Sequence, residues 1–403
     1  MNLQDCRSRE VYMRKIKAFL KKYPIMNRLY GNYKVISVNL LKCKLKFLKR
    51  KKYSVGEIIN INEAIAIVSK ERPEPRIAEH NQKRQINKNL DLSIVVPVYN
   101  AEKFIKQCLD SLRDQQTDYS YQVICVDDGS TDSSGEMLEE YRADDRFLIV
   151  HQENKGHSGA RNTALGYVLG QYLMFVDADD YLESGYIESM LNKAYRENAD
   201  IVVAPFKKCN AESVVLTTVK CKDKKVDSFQ EIENVGGAPW GKIYKSKLWD
   251  DIEYPLGLMF EDTIIFNVLF RRAQCIFTNK DCYYMYRVYG DNTLDRLQGK
   301  PQLLDAVWSI KYSYNLANRL GLPKTNTYYE FLLCQCSWHV YYRVKGFSVE
   351  IQKACFILMC ELIKEYTSDF EGKNLSNWVL KELEMAFFEK DFKKWKLCAE
   401  ILK

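Results

Sequence analysis

Long apolar runs, cysteine pairs and histidines are scarce in this sequence of 403 residues. No apolar run reaches about eighteen residues, so we expect no membrane-spanning helix. The thirteen cysteines are scattered without a Cys-x-x-Cys pair, and no secretory hydrophobic segment precedes them. This pattern predicts free thiols in a reducing cytoplasm rather than a disulfide framework. The four histidines lie away from any paired cysteines, which argues against a zinc site.

Charge is distributed unevenly along the chain. The net charge is +7, but residues 13–52 alone carry fourteen Lys or Arg and no Asp or Glu. The rest of the chain therefore has a net charge of −7. With 46% hydrophobic and 13% aromatic residues, the composition is typical of a globular protein of two or three domains. The sequence thus predicts a slightly acidic body with a basic arm.

The basic arm also carries apolar residues at helical spacing. They are Ile16, Phe19, Leu20, Tyr23, Leu40, Leu41, Leu45 and Leu48. A cationic helix with such a face can lie in an anionic membrane interface, which predicts peripheral attachment to the inner face of the cell membrane. Alternatively, the apolar face packs on the body of the protein, or the arm binds nucleic acid. We expect no nucleic-acid partner, because no zinc or helix-turn-helix signature accompanies the charge.

The hydrophobic pattern divides the chain into four parts. Residues 1–70 are expected to be basic, amphipathic and helical, and residues 71–91 to form a polar linker with two prolines. Short apolar strands alternate with helices over residues 92–298, which predicts an α/β domain with a mostly parallel sheet. Residues 299–403 are expected to be helical. Their expected core anchors are Trp308, Tyr312, Trp338, Tyr341, Trp378 and Trp395.

Polar segments follow three of the expected strands at the point where each strand ends. They are Val98-Tyr99-Asn100-Ala101-Glu102, Asp127-Asp128-Gly129-Ser130 and Asp177-Ala178-Asp179-Asp180. Because open α/β folds bind ligands at the carboxyl edge of the sheet, these segments should converge on one site. Gathered carboxylates favour a bound cation, and Mg²⁺ or Mn²⁺ takes oxygen ligands from carboxylates and phosphates. A fourth segment with Lys155 and Arg161 leads into a helix N-terminus, which favours anions. The combination predicts a site for a nucleotide diphosphate.

In this order and spacing, the segments resemble family-2 glycosyltransferases with a GT-A fold, the inverting enzymes of bacterial surface-polysaccharide synthesis. The resemblance covers residues 92 to about 293. The matching motifs are Ser93 to Asn100, Val126 to Asp132, Asn154 to Asn162, the Asp-x-Asp at Asp177 and Asp179, and Glu261-Asp262. The resemblance implies a GT-A (Rossmann-like, mostly parallel sheet) catalytic domain between a helical N-terminal arm and a helical C-terminal region.

The resemblance also implies a role for each matching residue. The residues that would bind the nucleotide sugar are Pro97, Val98, Tyr99, Glu102, Asp128, Lys155, Arg161, Asp177 and Ala178. Among these, Asp128 would hydrogen-bond the base and Asp177 would contact the ribose and sugar. Asp179 would hold the metal, Mn²⁺ or Mg²⁺, that binds the diphosphate. Asp262 matches the catalytic base, with Glu261 beside it.

The chemistry of glycosyl transfer is compatible with these roles. Breaking the bond between the anomeric carbon and the diphosphate builds negative charge on the leaving group, which a divalent ion and nearby amides stabilise. One carboxylate then suffices to take the acceptor proton, and a single displacement inverts the anomeric centre. Alternatively, Glu261 and Asp262 only begin the apolar helix that follows them, since acidic residues favour the first turn of a helix.

Three further residues are expected near the acceptor or the phosphates. Trp240 and Lys242 lie in a stretch that borders the acceptor in similar enzymes, although Trp240 is equally compatible with a core position. Many relatives carry a histidine after the final strand, and this chain has none there. Arg287, in the same stretch, is expected to contact the diphosphate instead.

The expected function is transfer of a hexose or N-acetylhexosamine from a UDP-linked donor to a glycan or lipid-linked acceptor in cell-surface polysaccharide synthesis. A nucleotidyltransferase would need a basic Gly-rich loop after the first strand, where this chain has Tyr99-Asn100-Ala101-Glu102. A catalytically silent scaffold on the same fold is the remaining alternative. The C-terminal helices are expected to close over the acceptor or to form a homo-oligomer.

Overall fold

The computed structural model describes residues 59–75, 83–226, 236–289, 297–370 and 374–402. The basic arm, with its expected membrane-facing helices, lies outside the described residues. No helix in the described ranges is long and apolar enough to cross a membrane. The eleven cysteines within these ranges are all free, in agreement with the prediction of reduced thiols.

Strands and helices alternate through the first part of the described chain, and helices alone follow residue 287. The strands are β1 Leu92–Val98, β2 Tyr121–Asp127, β3 Phe147–His151, β4 Tyr172–Phe175, β5 Tyr181–Leu182, β6 Ile201–Val203, β7 Phe206–Cys209, β8 Val215–Val219, β9 Lys224–Lys225, β10 Lys242–Lys245, β11 Ile276–Thr278 and β12 Tyr284–Arg287. The α-helices are α1 Ile61–Glu71, α2 Ile105–Arg113, α3 Ser134–Glu139, α4 Gly156–Leu165, α5 Tyr186–Glu197, α6 Phe270–Arg272, α7 Asp305–Arg319, α8 Asn326–Cys334, α9 Val340–Val344, α10 Val349–Thr367, α11 Trp378–Phe388 and α12 Phe392–Leu402. Two π-helical turns, Ile265–Leu269 and Gln335–His339, precede α6 and α9. Two 3₁₀ turns lie at Ser246–Trp249 and Pro301–Leu304.

The main sheet has eight strands in the order β3-β2-β1-β4-β10-β6-β11-β9. β1 runs parallel to β2 and β4 and pairs Val98 with Asp127 and Val95 with Phe175. Only short antiparallel pairings, through β10 and β9, interrupt the parallel order of the described strands. The predicted α/β fold with a mostly parallel sheet is therefore confirmed.

A second sheet, in the order β5-β12-β7-β8, lies beside the Asp-x-Asp turn. β5 begins directly after Asp180 and pairs antiparallel with β12, which matches Leu182 with Tyr284. The sequence analysis did not predict this sheet, because β5 is two residues long and β8 is exposed. Its consequence is that β12 brings tyrosines and Arg287 against the acidic turn.

The main sheet is covered on both faces by apolar side chains. Ile94 and Val96 of β1 point into a core shared with α2 and α5, whereas Val95 points into a core shared with α4. Alternate residues of one strand thus face opposite layers, which explains why β1 is buried along its whole length. The burial of these strands fixes the positions of the polar turns that follow them.

A separate core joins the C-terminal helices to α1. Trp308 and Trp395 are fully buried in it and Tyr341 is nearly so, as predicted, while Tyr312 and Trp338 are half-buried. The prediction for Trp378 was wrong, since its side chain is 41% exposed at the first position of α11. Helical spacing gave the element correctly, but it did not show which side of the helix start faces solvent.

The expected linker is fixed to the folded parts at both ends. Arg72 forms an ion pair of 2.6 Å with the buried Asp305 of α7. At the other end, the buried Arg84 guanidinium donates hydrogen bonds to the carbonyls of Leu165, Trp249 and Ile252. These contacts satisfy buried carbonyl groups and hold the described parts of the linker against the body.

Candidate active site

The three polar segments meet at the carboxyl ends of β1, β2 and β4, as the parallel register requires. The Asp128 amide donates a 2.8 Å hydrogen bond to the Val98 carbonyl, which joins the first two turns. Gly129 has a φ of +72°. A Cβ there would also lie 3.0 Å from the Asn154 amide, so the tight turn after Asp128 requires glycine.

Hydrogen bonds join the turn after β1 to the turn after β2. Asn100 adopts a φ of +49°, and its side-chain oxygen accepts a 2.8 Å hydrogen bond from the Thr131 amide. The Glu102 amide donates to Asp132 across 3.2 Å. Pro97 and Val98 are buried at the strand end, whereas Tyr99 is 49% exposed. Among the residues expected to bind the nucleotide, Pro97 and Val98 are thus fixed in the strand, whereas Tyr99 exposes its aromatic ring.

Asp128 is buried and connects the turn after β2 to the start of α4. Its Oδ1 accepts hydrogen bonds from the Lys155 amide at 2.8 Å and from the Gln152 side chain at 2.6 Å. Within the described residues, no protein donor reaches its Oδ2. The Lys155 side chain itself is exposed at the start of α4. Asp128 thus keeps one carboxylate oxygen without a protein donor in the described chain, and Lys155, whose amide bonds the other oxygen, has an exposed side chain.

Arg161 of α4 links two acidic segments that are far apart in sequence. Its Nη1 donates to Glu261 across 2.7 Å, and its Nη2 donates to Asp177 across 3.1 Å. Burial disfavours the charged guanidinium, but Asp177 and Glu261 outweigh burial and raise the pKa of Arg161. The guanidinium also lies over the Tyr254 ring, 5.4 Å from its centroid. Arg161 therefore contacts the Asp-x-Asp turn and the segment with the expected base.

The acidic turn contains carboxylates in three different environments. Asp177 is partly exposed and paired with Arg161, while Ala178 beside it is buried. Asp179 accepts a 2.9 Å hydrogen bond from the Tyr289 hydroxyl. Asp180 is fully buried and accepts from the Tyr284 hydroxyl and the Arg287 amide. Burial first, and then the neighbouring carboxylates, raise the pKa values of Asp179 and Asp180.

The residues present fit a divalent cation bound with the help of a ligand. In the parts of the chain that the structure describes, no group of three or more His, Cys, Asp or Glu side chains is arranged to hold a metal. Asp177 and Asp179 nevertheless bring two carboxylates to one turn, and their mutual repulsion helps raise the pKa of Asp179. Mg²⁺ and Mn²⁺ bind through one or two carboxylates when substrate phosphates complete the shell. The donor set therefore suits a metal that arrives with a diphosphate.

Asp262 carries a carboxylate that is not used in the structure of its own segment. It follows Phe260, whose φ of +62° is strained for a residue other than glycine. The π-helical turn that follows has no side-chain cap, and the Asp262 side chain accepts no backbone hydrogen bond within the described residues. Asp262 directly precedes the helical turn that begins at Thr263, as the alternative interpretation expected, but its side chain forms no capping hydrogen bond to that turn.

The environment of Asp262 tunes it toward proton transfer near neutral pH. Burial and the neighbouring Glu261 raise its pKa to about 6, while Arg161, Arg343 and Lys242 act in the opposite direction. A general base is most effective when its pKa lies near the working pH. A raised pKa of this kind is what a general base needs, and the role of Asp262 as the base stays a prediction.

Trp240, Lys242 and Arg287 are all engaged by other protein groups. Trp240 is stacked on Tyr284 and Tyr286 with ring centroids 4.7 and 4.8 Å apart. Lys242 is 1% exposed and donates to the Ala238 carbonyl across 2.8 Å; burial lowers its pKa to about 7. Trp240 and Lys242 are thus held by protein groups in this structure, and their expected contacts with an acceptor or a phosphate stay predictions.

The Arg287 guanidinium supports the Asp-x-Asp turn from behind. All three of its nitrogens donate to protein groups, among them the carbonyls of Asp179 and Ala211. The guanidinium also lies 4.4 Å from the centroid of the Phe104 ring. It is 3% exposed and each of its nitrogens is hydrogen-bonded to a protein group in this structure; its expected contact with the diphosphate stays a prediction.

Some residues of the site were missed by reasoning from sequence. Arg343, in α9, approaches Asp262 from the C-terminal region, and no motif marks it. Tyr284 and Tyr289 bond the acidic turn, and the tyrosine-rich run around them was visible but did not reveal their partners. Gln152 binds Asp128 and carries no signal beyond its position after β3.

Comparison with known proteins identifies the relatives of this chain. Residues 93–252 match the model of glycosyl transferase family 2. The uncharacterized glycosyltransferase EpsJ of Bacillus subtilis (strain 168) is 32% identical over 57% of this chain and 71% of its own length. Glycosyltransferase GlyA of Streptococcus pneumoniae serotype 4 is 30% identical over 57% of this chain, which spans only 34% of GlyA.

The solved structure of S. aureus TarS 1–349 in complex with UDP-GlcNAc has a similar fold. It superposes with a TM-score of 0.60 at 22% identity and covers 77% of this chain and 91% of its own. The similarity confirms the GT-A-type fold expected from the sequence. Because the structural match covers 77% of this chain, it extends beyond residues 93–252, the segment that the family model matches.

Proposed function

This chain belongs to glycosyl transferase family 2, and on that premise we propose that it transfers a sugar from a UDP-sugar to a hydroxyl group of a cell-surface glycan precursor, with inversion. The observation that carries the proposal is the shared contact of Arg161 with Asp177 and Glu261, beside Asp262. This contact joins a diphosphate-type acidic turn to a carboxylate with a raised pKa. In this proposal, one site holds both the donor and the base.

We place the donor along the carboxyl edge of the main sheet. Tyr99 and the unused oxygen of Asp128 would contact the base, and Lys155 would lie beside the phosphates. Asp179, with Asp177, would hold Mn²⁺ or Mg²⁺, which would offset the charge of the departing diphosphate. Asp177 has a second role in this proposal, since it also keeps Arg161 directed at the site.

In the chemical step, the acceptor hydroxyl oxygen attacks the anomeric carbon of the donor. Its proton passes to the carboxylate of Asp262, and the bond between the anomeric carbon and the diphosphate oxygen breaks. The electron pair of that bond remains on UDP. Because Asp262 accepts no hydrogen bond within its own segment, both of its oxygens are available for this proton transfer.

We propose the acceptor from the names of the proteins that this chain resembles. One relative is a poly(ribitol-phosphate) beta-glucosyltransferase of Bacillus spizizenii, which is 32% identical over 50% of this chain. We infer an acceptor that is a lipid-linked oligosaccharide or a surface polymer. The basic arm would then hold the enzyme at the cytoplasmic face of the membrane, where such acceptors are assembled.

A thermal-shift panel of nucleotide sugars, with and without Mn²⁺, tests the proposal. A ligand that binds only the native state raises the unfolding midpoint by mass action. We expect one UDP-sugar to stabilise the protein, and to do so only with metal. Donors linked to GDP or CDP serve as controls. If no nucleotide shifts the midpoint under either condition, the chain is a scaffold on this fold rather than an enzyme.

A further inference from the structure

The segment that carries Asp262 is tied to the C-terminal helices on both sides of Leu258. The Met259 amide donates to Asp305 across 2.9 Å, and the Ser309 hydroxyl donates to the Met259 carbonyl across 2.7 Å. Asp305 is in turn paired with Arg72, which donates to the Gly257 carbonyl. The C-terminal region therefore determines where residues 257–262 lie.

Arg343 reaches the same segment from α9. Its guanidinium lies 4.3 Å from the centroid of the Phe260 ring, two positions before Asp262. Its Nη1 donates to the His339 carbonyl across 2.8 Å, while its Nε is buried without a hydrogen-bond partner. Its contacts in the described chain are thus a ring, a carbonyl and an imidazole, and none of them is a carboxylate.

We propose that Arg343 is a positioning residue for glycosyl transfer, which fixes Phe260 by stacking and brings a positive charge to the segment that carries Asp262. The inference rests on the proposed function, in which Asp262 is the general base. It assigns a catalytic purpose to the C-terminal helices, because without α9 the base would lose both its support and this charge.

The other charges that face Asp262 make the contribution of Arg343 distinctive. Glu261, on the same segment, opposes ionisation of Asp262, whereas Arg161, Arg343 and Lys242 favour it. Arg161 divides its charge between two hydrogen-bonded carboxylates, Asp177 and Glu261. Lys242 has a pKa lowered to about 7 by burial, so it is only partly charged at neutral pH.

Arg343 has no such competing carboxylate partner among the described residues. Burial lowers its pKa, and Asp262 is the group that opposes this effect. His339 lies beside it, but burial and Arg343 lower the pKa of His339 to about 3, so the imidazole is neutral. Tyr254, the remaining titratable group near Asp262, has a pKa raised well above its usual value by burial and is also neutral. Among the described residues, Asp262 is therefore the acidic group that acts on the charge of Arg343.

The kinetic test compares Arg343→Gln, Arg343→Lys and the control Arg319→Gln. Arg319 is an exposed arginine of α7 whose bond to the Asp251 carbonyl lies away from Asp262. The assay is release of UDP from UDP-GlcNAc with Mn²⁺, in which water takes the place of the acceptor. For Arg343→Gln we expect kcat/KM to fall roughly threefold to tenfold at about pH 6 and little at about pH 8.5, because the pKa of Asp262 rises.

Arg343→Lys should restore most of the kcat/KM that Arg343→Gln loses at about pH 6. Arg319→Gln should have the same kcat/KM as the unsubstituted enzyme at both pH values. A purely structural role would lower kcat/KM by the same factor at every pH. That result, or an unchanged profile in Arg343→Gln, would overturn the inference.

A double-mutant cycle of thermal stability tests the same coupling without any substrate. At about pH 8, Arg343→Gln should lower Tm more in the unsubstituted protein than in the Asp262→Asn background, because only the former has a carboxylate to lose its partner. At about pH 5 the difference should shrink as Asp262 becomes protonated. Equal losses in both backgrounds at both pH values would contradict the inference. Because the cycle needs no donor, its failure is distinct from failure of the proposed function.

Discussion

Arg161 donates a 2.7 Å hydrogen bond to Glu261 and so joins α4 to the segment that carries Asp262. Its other nitrogen bonds Asp177, and the guanidinium is only 4% exposed. Removing one member of a buried charge cluster leaves the others uncompensated. The stability of the domain and the geometry of the site therefore depend on the same side chain.

We predict that Arg161→Gln lowers the free energy of unfolding by about 3 kcal/mol, since breaking a buried ion pair typically costs this much or more. Urea denaturation monitored by tryptophan fluorescence measures the loss. The control is Arg142→Gln, which removes an exposed pair with Glu139 and should cost far less. Similar losses in the two variants would show that Arg161 is not a structural centre of the site.

The rate of donor turnover should depend on the ionisation of Asp262. Its pKa of about 6 predicts that kcat/KM falls about tenfold per pH unit below that value and levels off above it. The bonds of His151 to Glu139 and Asp127 raise its pKa above the usual value for histidine. The variant His151→Gln should show the same fall in kcat/KM at low pH, because that fall comes from protonation of Asp262 and not of His151. If kcat/KM of the unsubstituted enzyme began to fall only near about pH 4, that result would contradict the environment described for Asp262.

Asp262→Asn should stabilise the protein while it abolishes turnover. A carboxyl whose pKa is raised on folding, here from 3.8 to about 6, binds more protons in the folded than in the unfolded state between those values. Stability contributed by this group is present at low pH and is lost as the pH rises toward 6. The asparagine variant should therefore have a higher Tm than the unsubstituted protein at about pH 7.5, and the difference should vanish at about pH 4. A lower Tm at the higher pH would be inconsistent with this sign.

Two adjacent carboxylates should give opposite results when they are changed. Asp179→Asn should weaken metal-dependent binding of a UDP-sugar with little effect on folding. Asp180→Ala should instead cost about 2 kcal/mol or more of unfolding free energy, because it leaves the Tyr284 hydroxyl and the Arg287 amide without an acceptor in a buried site. Donor titration by calorimetry and chemical denaturation, applied to both variants, separate the two roles. Loss of metal dependence in neither variant would argue against a metal at this turn.

The part of the site built from parallel strand ends could be predicted from the sequence. Asp128, Asp177 and Asp179 follow buried apolar strands, and strand polarity alone brings such residues to one edge. Asn100 and Gly129, with positive φ, also occupy the turns where residues of their type are favoured. Local chemistry and the fold agree at these positions, so short-range patterns were sufficient.

The part built from distant contacts could not be predicted. Arg343 and Asp262 are brought together by the packing of separate helices, and nothing in the sequence near Arg343 distinguishes it from a surface arginine. Arg287 was expected to contact the diphosphate, but the pairing of β12 with β5 and β7 places its guanidinium against carbonyl groups. Which way a side chain points depends on strand pairings that span about one hundred residues, and periodicity does not contain that information.

UDP release by the unsubstituted enzyme and by Asp262→Asn, with donor affinity measured alongside, tests the central claim most directly. Asp281→Asn, a change at an exposed carboxylate paired with Lys280, is the matched control. We predict a loss of about 10²-fold or more in kcat for Asp262→Asn, with donor affinity near that of the unsubstituted enzyme and full activity in the control. Retained turnover in Asp262→Asn would contradict its assignment as the base that accepts the acceptor proton.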